Sequence, residues 1–153
     1  VKIKFMTLSE FLVEAKTKTY ASGENNRERK LEDGTKELVY EQDEWKYRDR
    51  YFGFNPFIGE EIVWQDGKIY WAMNYYGKTF GDVLASDVYK FLQKAMRQVK
   101  KDKPYRGPSE LYEGEWKYRN EVNGTTDDFE GFERIFYRDI KVYELKYRGG
   151  RIK

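Results

Sequence analysis

Cysteine and histidine are both absent from this chain. Without cysteine there are no disulfides, thiolate zinc sites, iron–sulfur clusters or cysteine nucleophiles. Without histidine the commonest general base, the commonest metal ligand and the Ser/His/Asp arrangement are gone as well. A strong charge of one sign is also missing. Lys plus Arg number 29 and Asp plus Glu 27, so a net charge of +2 gives no overall pull toward nucleic acid. No apolar stretch approaches the roughly 20 residues of a spanning helix, and none resembles a signal peptide. The expectation is a cytoplasmic protein with no membrane partner.

What the chain has is rings and charges. Aromatic residues make up 18% of it, nearly half of the 39% that counts as hydrophobic. The core must therefore be built largely from rings, and each buried tyrosine hydroxyl needs a partner. Charged residues are 37%, against an average of about 25%. Many charges without cysteine suit a thermophile's protein. At 153 residues the length fits one domain over 1–153, large enough to bury roughly 70% of the unfolded surface.

Local signals give the elements. Thr7-Leu8-Ser9-Glu10 reads as a capping box, followed by Leu8, Phe11, Leu12 and Ala15 on one narrow apolar face and a helix fading near Lys18. Ser22–Lys36 is polar and aperiodic, a surface loop. Glu37–Tyr51 reads as strand, with Trp45 and Tyr47 on one side. Asp66-Gly67 is two-residue turn chemistry between Glu60–Gln65 and Lys68–Tyr75. That hairpin sets residue 62 against 71, with Ile62, Trp64, Ile69, Trp71, Met73 and Tyr75 on one face and Glu61, Val63, Tyr70 and Asn74 on the other. A second helix runs from Asp82 or Ser86 to Lys101. Further strands follow over Glu110–Arg119, Glu133–Tyr137 and Ile140–Tyr147, closed by Gly149 and Gly150.

Glu44-Trp45-Lys46-Tyr47-Arg48 recurs as Glu115-Trp116-Lys117-Tyr118-Arg119. Downstream, Phe57, Gly59 and Glu61 match Phe129, Gly131 and Glu133, and Tyr75 and Gly77 match Tyr147 and Gly149. The expected fold is α+β, an internally duplicated αβββ-αβββ chain with halves over 7–78 and 82–150. Two main helices would cover a curved antiparallel sheet.

The run Tyr47-Arg48-Asp49-x-Tyr51-x-Gly53, then Phe57-x-Gly59-x-Glu61, then Trp71-x-Met73-Asn74-Tyr75-Tyr76-Gly77 resembles an uncharacterised bacterial and archaeal family. Tyr105-Arg106-Gly107-Pro108, Phe129-x-Gly131-x-Glu133 and Tyr143 through Gly150 carry the same resemblance, which spans Leu8 to Lys153. The family is a domain of unknown function, some members of which sit behind a helix-turn-helix regulator. No recognition-helix unit precedes Leu8, so the resemblance implies a stand-alone accessory or sensor-like module. It carries over no catalytic residues.

Three residue groups are candidate ligand-binding sites. Glu61 and Glu133 sit in Phe-x-Gly-x-Glu contexts among bulky residues. Each is either a carboxylate in an aromatic pocket or a structural acceptor paired with a nearby Arg. Arg48, Asp49 and Tyr51 form the second group. Asn120 stands where the second copy would place Asp49, and an asymmetric residue in a matching frame points to function more than a shared one does. Its alternative is an ion pair at a strand end. Asn74, Tyr75 and Tyr76 with Arg106 form the third, where a planar guanidinium could hold a carboxylate or phosphate, or where turn chemistry alone operates. Trp71 and Tyr147 complete the expected lining.

Other chemistries are weaker. Gly149-Gly150 precedes no helix that could bind phosphate. Asp127, Asp128, Glu130 and Glu133 fit no calcium loop and read as a solvated acidic loop. Lys90, Lys94, Arg97, Lys100, Lys101 and Lys103 make a basic helix surface, but the sheet rings are needed for the core, so nucleic acid is disfavoured. The expected protein has no cofactor and no metal. It is a monomer or homodimer whose pocket takes a small molecule. The alternatives are an enzyme with Glu61 or Asp49 as base, or a dimerisation domain.

Overall fold

A computed structural model describes residues 4–23 and 28–153. The expected start over Val1–Phe5 falls largely outside these residues, as does part of the Ser22–Lys36 loop. Helix α1 is Leu8–Lys18. It begins where its capping box dictates, with the Thr7 hydroxyl accepting from the Glu10 amide at 3.2 Å. Phe11, Leu12 and Ala15 are fully buried, and burial of Phe11 or Leu12 is worth about 1.5–3 kcal/mol each. A short 3-10 turn, Tyr20–Ser22, follows.

The strands are β1 Arg29–Lys30, β2 Lys36–Gln42, β3 Trp45–Gly53, β4 Phe57–Gln65 and β5 Lys68–Thr79, then helix α2 Ala85–Met96, then β6 Glu110–Glu113, β7 Trp116–Thr125, β8 Asp128–Tyr137 and β9 Ile140–Arg151. All nine belong to one sheet in the order β1-β2-β3-β4-β5-β9-β8-β7-β6. Every pairing is antiparallel. Two meanders meet where β5 pairs with β9, and Tyr75 lies directly opposite Tyr147 there.

This overturns the α+β, duplicated αβββ expectation. The protein is dominated by its sheet, and its two helices are short. The halves are not three-stranded units either, since five strands precede α2 and four follow it. The extra strands come from turns inside segments that read as continuous: Gly114, at φ 58, splits Glu110–Arg119 into β6 and β7, and Gly34, at φ 89, sits between β1 and β2. Asp43 adopts φ 53 and splits Glu37–Tyr51 into β2 and β3. The acidic stretch 121–133, expected as a loop, forms most of the β7–β8 hairpin. Gly149 and Gly150 do not close a strand but lie within β9. The second helix ends at Met96, not Lys101.

Register was misread in one informative place. A β-bulge between Val63 and Trp64 sets Val63, not Ile62, opposite Trp71. One extra residue moves every following side chain to the other face. Glu61 and Val63 therefore share the buried face with Trp71, Met73 and Tyr75. Ile69 is left exposed. The β8–β9 pair carries a bulge at the corresponding step, between Ile135 and Phe136.

Both helices pack on this buried face, and rings fill the joint. Phe11 of α1 stacks on Trp45 with centroids 5.6 Å apart. Phe91 of α2 meets Trp116 at 5.3 Å. Trp71 stacks on Phe129 at 5.6 Å, tying β5 to β8. Gln93 of α2 and Arg97 just after it donate to the carbonyls of Tyr20 and Ala21, linking the helices through the 3-10 turn. Among the described residues no helix is long and apolar enough to cross a membrane.

Candidate functional site

Five charged side chains are buried beneath the helices: Lys16, Asp49, Glu61, Arg106 and Glu133. Unpaired, each would cost several kcal/mol, so their partners decide what the cluster is. Glu133 is completely satisfied. Arg106 grips it with two parallel bonds, Nη2 to Oε1 at 2.8 Å and Nε to Oε2 at 3.1 Å. Tyr143 donates to it at 2.6 Å, and Tyr118 donates as well. Burial pulls the Arg106 guanidinium down, but the Glu133 charge and the neighbouring phenols hold it well above its ordinary value. This pair is a locked structural bridge.

Glu61 accepts from the Lys16 ammonium and from Tyr47 at 2.7 Å. Lys16 comes from α1, one residue beyond Ala15 on the helix's buried stripe. Burial lowers its pKa, against the opposing pull of Glu61.

Asp49 is different. Tyr75 donates to its Oδ1 at 2.5 Å, and Oδ2 has no hydrogen-bond partner among the described residues. Cross-strand register sets Asp49 directly opposite Glu61 on β4, so two carboxyls face each other on one side of the sheet, an unfavourable pairing. Burial and the Glu61 charge together push the Asp49 carboxyl up to about 7. The second meander carries the matching hydrogen bond, Tyr147 donating to Asn120 at 2.7 Å, with the amide opposite Glu133. A neutral amide therefore serves the tyrosine contact, and the charge at 49 is not required for it.

Asp49, Glu61, Lys16 and Arg106 line a cavity of about 420 Å³ between the sheet and the helices, within the usual range for small-molecule pockets. Its remaining walls are mostly rings, from Tyr20, Tyr47, Tyr51, Phe54, Phe57, Tyr75 and Tyr89. Leu38, Leu92 and Met96 add apolar surface. The mouth includes Glu28, Lys36, Ser86 and Lys90, with Tyr51 donating to Glu28. Burial raises the Tyr47 and Tyr75 phenols well above their ordinary values, so both stay protonated donors. Among the described residues no three acidic side chains converge as a metal-ligand set.

Of the sequence candidates, the cavity brings together Asp49, Tyr51, Glu61, Tyr75 and Arg106. Glu133 lies behind Arg106 and is sealed. Trp71 is core, away from the cavity. Arg48 points to the opposite face, over the Trp64 ring at 5.3 Å. Asn74 and Tyr76 also face that way, in a broad groove of about 980 Å³ that includes Arg148. Tyr147 pairs with Asn120 rather than with the cavity. Sequence reasoning missed Lys16, Tyr20, Tyr47 and Tyr89. Lys16 had a readable signal, since a lysine four residues after Leu12 falls on the apolar stripe.

An antiparallel sheet that buries a charged, ring-lined cavity under two helices defines the class of protein. The chain belongs to the family described as a domain of unknown function (DUF5680), whose sequence profile matches residues 49–152. No curated protein and no solved structure matches it significantly. The matched segment holds Asp49, Glu61, Tyr75, Arg106 and Glu133, while Lys16, Tyr20, Glu28 and Lys36 precede it.

Proposed function

We propose that this protein binds a small organic molecule in the cavity beneath α1 and α2, as a sensor-type accessory module. One observation carries the reading. Asp49 is a buried carboxyl that faces a cavity, has no cationic partner among the described residues and opposes a second carboxyl. Such an arrangement costs stability, and perturbed groups of this kind concentrate at functional sites. The locked Arg106–Glu133 bridge nearby has no comparable opening.

The test is ligand-observed NMR of a fragment library against the intact chain and against Ser86→Trp. Ser86 is exposed at the mouth, so a large ring there obstructs the entrance without disturbing the core. Fragments that bind the unmodified protein should lose binding to Ser86→Trp. The absence of any such fragment would remove the proposal.

A second reading follows from the same carboxyl. A group with a pKa of about 7 beside a phenol is suited to general acid–base chemistry near neutrality. It predicts turnover of a bound compound that disappears in Asp49→Asn.

A further inference from the structure

We infer that the cavity's ligand is a small organic cation, an ammonium or amidinium on an apolar or aromatic body, with its charge seated on Asp49. This rests on the reading that the cavity binds a small molecule, and adds the ligand's class.

The first support is a charge inventory of the buried wall. Lys16 is taken by Glu61, and Arg106 is taken twice over by Glu133. Among the described residues no cation is paired with Asp49, and its one side-chain hydrogen bond is the Tyr75 hydroxyl on Oδ1. One monocation would complete the balance and relieve the Asp49–Glu61 opposition, because an opposite charge within a few ångströms favours the ionised carboxylate. An anionic ligand would instead have to displace Glu133 from Arg106 or Glu61 from Lys16, breaking a buried pair in either case.

The second support is the wall itself. Tyr75, which holds Asp49, and Tyr51, Phe57 and Tyr89 all present rings to the cavity. Ring faces carry partial negative charge and attract cations, most strongly where water is excluded. The wall already shows this chemistry within the protein, with the Lys16 ammonium 5.9 Å from the Tyr47 ring centroid and the Arg106 guanidinium 5.8 Å from that of Tyr75. The two lysines at the mouth do not reverse the preference. Lys90 is exposed, and Lys36 lies 5.9 Å over the ring of Tyr51, whose hydroxyl donates to Glu28.

The third support is Asn120. It makes the same tyrosine contact as Asp49 without a charge, and it does not line the cavity. The Asn120 amide nitrogen donates to the Gly107 carbonyl at 3.0 Å, so protein fills the place that at Asp49 opens onto the cavity.

The experiment compares three probes of one shape, benzylammonium, benzyl alcohol and benzoate, by calorimetry and thermal shift on the intact chain at pH 6 and pH 8. Benzylammonium should bind and the other two should not. Its affinity should rise about tenfold from pH 6 to pH 8 as the Asp49 carboxyl ionises, since bound cation and proton compete for one group. The groups facing Asp49 are Lys16 from α1, Tyr20 from the 3-10 turn, Tyr47 and Tyr51 from β3, Glu61 from β4, Tyr75 from β5 and Arg106 from the segment after α2. Asp49→Asn should abolish benzylammonium binding while remaining folded. Equal binding of the amine by Asp49→Asn, or preferential binding of benzoate or benzyl alcohol, overturns the cation assignment and leaves small-molecule binding intact. If none of the three binds, the charge of the library fragments that do bind decides, and anionic or neutral hits overturn the assignment. No hit from probes or library overturns both.

Discussion

Asp49 and Asn120 form a natural comparison at the scale of one side chain. Each accepts a tyrosine hydroxyl on the buried face, and each lies opposite a glutamate. Only Asp49 carries a titrating group, pushed up to about 7. Its folded pKa lies above the ordinary value of 3.8, so ionising it opposes folding. The penalty is absent below about pH 4, grows as pH rises toward 7, and is constant above that. Asp49→Asn should therefore stabilise the unliganded protein at pH 8 by about 2–4 kcal/mol. That corresponds to a rise in Tm of roughly 5–10 °C. The gain should vanish near pH 4, where the native carboxyl is already neutral. Thermal melts of both proteins from pH 4 to pH 8 check this. A gain independent of pH would show that the carboxyl does not titrate as its surroundings dictate.

At the scale of an element, two glycines let tyrosine rings lie flat across a strand, one beside the site and one at the matching place in the second meander. Gly131 on β8 faces Tyr147, and Gly59 on β4 faces Tyr75. A Cβ at 131 would stand 2.0 Å from the Tyr147 ring, far inside van der Waals contact. Gly131→Ala should push that ring away and break its bond to Asn120. The expected loss is about 2–4 kcal/mol, from overpacking and a forfeited hydrogen bond. Urea denaturation measures it, and a change within 0.5 kcal/mol would mean the ring has room to move. These glycines were visible in the sequence as part of Phe-x-Gly-x-Glu, but their purpose was not. The hairpin at Asp66-Gly67 and the capping box at Thr7 were legible, because short-range chemistry determines both. The turn at Asp43 was harder to read, since a non-glycine residue takes up the left-handed backbone there, whereas the break at Arg138-Asp139 fell between two expected strands. The bulge at Val63/Trp64 had no local signal, and it decides whether Glu61 points inward. The candidate site was therefore only partly readable. Asp49, Tyr51, Glu61, Tyr75 and Arg106 could be named, but their convergence depends on register and on Lys16 arriving from α1.

At the scale of the whole molecule, the two meanders share one sheet, and side chains also bind them across the β5–β9 seam. Trp71 of the first meander stacks on Phe129 of the second. Arg106, from the segment before β6, holds Glu133 while lying over the Tyr75 ring. The core is one continuous cluster spanning both helices and both meanders. Neither half can open without exposing rings of the other, and each buried ring is worth about 1.5–3 kcal/mol. Native-state hydrogen exchange should therefore find the slowest amides of β4, β5, β8 and β9 opening together at the global unfolding free energy. The edges should behave otherwise. β1 has two residues and β6 has four, both largely exposed and charged, and their amides should exchange through local fraying. Exchange measured under increasing denaturant distinguishes the cases. If β7–β9 formed a separate isotherm well below that of β3–β5, the seam would be a boundary between independent units. The cavity, whose wall draws Asp49 from one side of the seam and Arg106 from the other, would then lose its shape whenever the weaker unit opened.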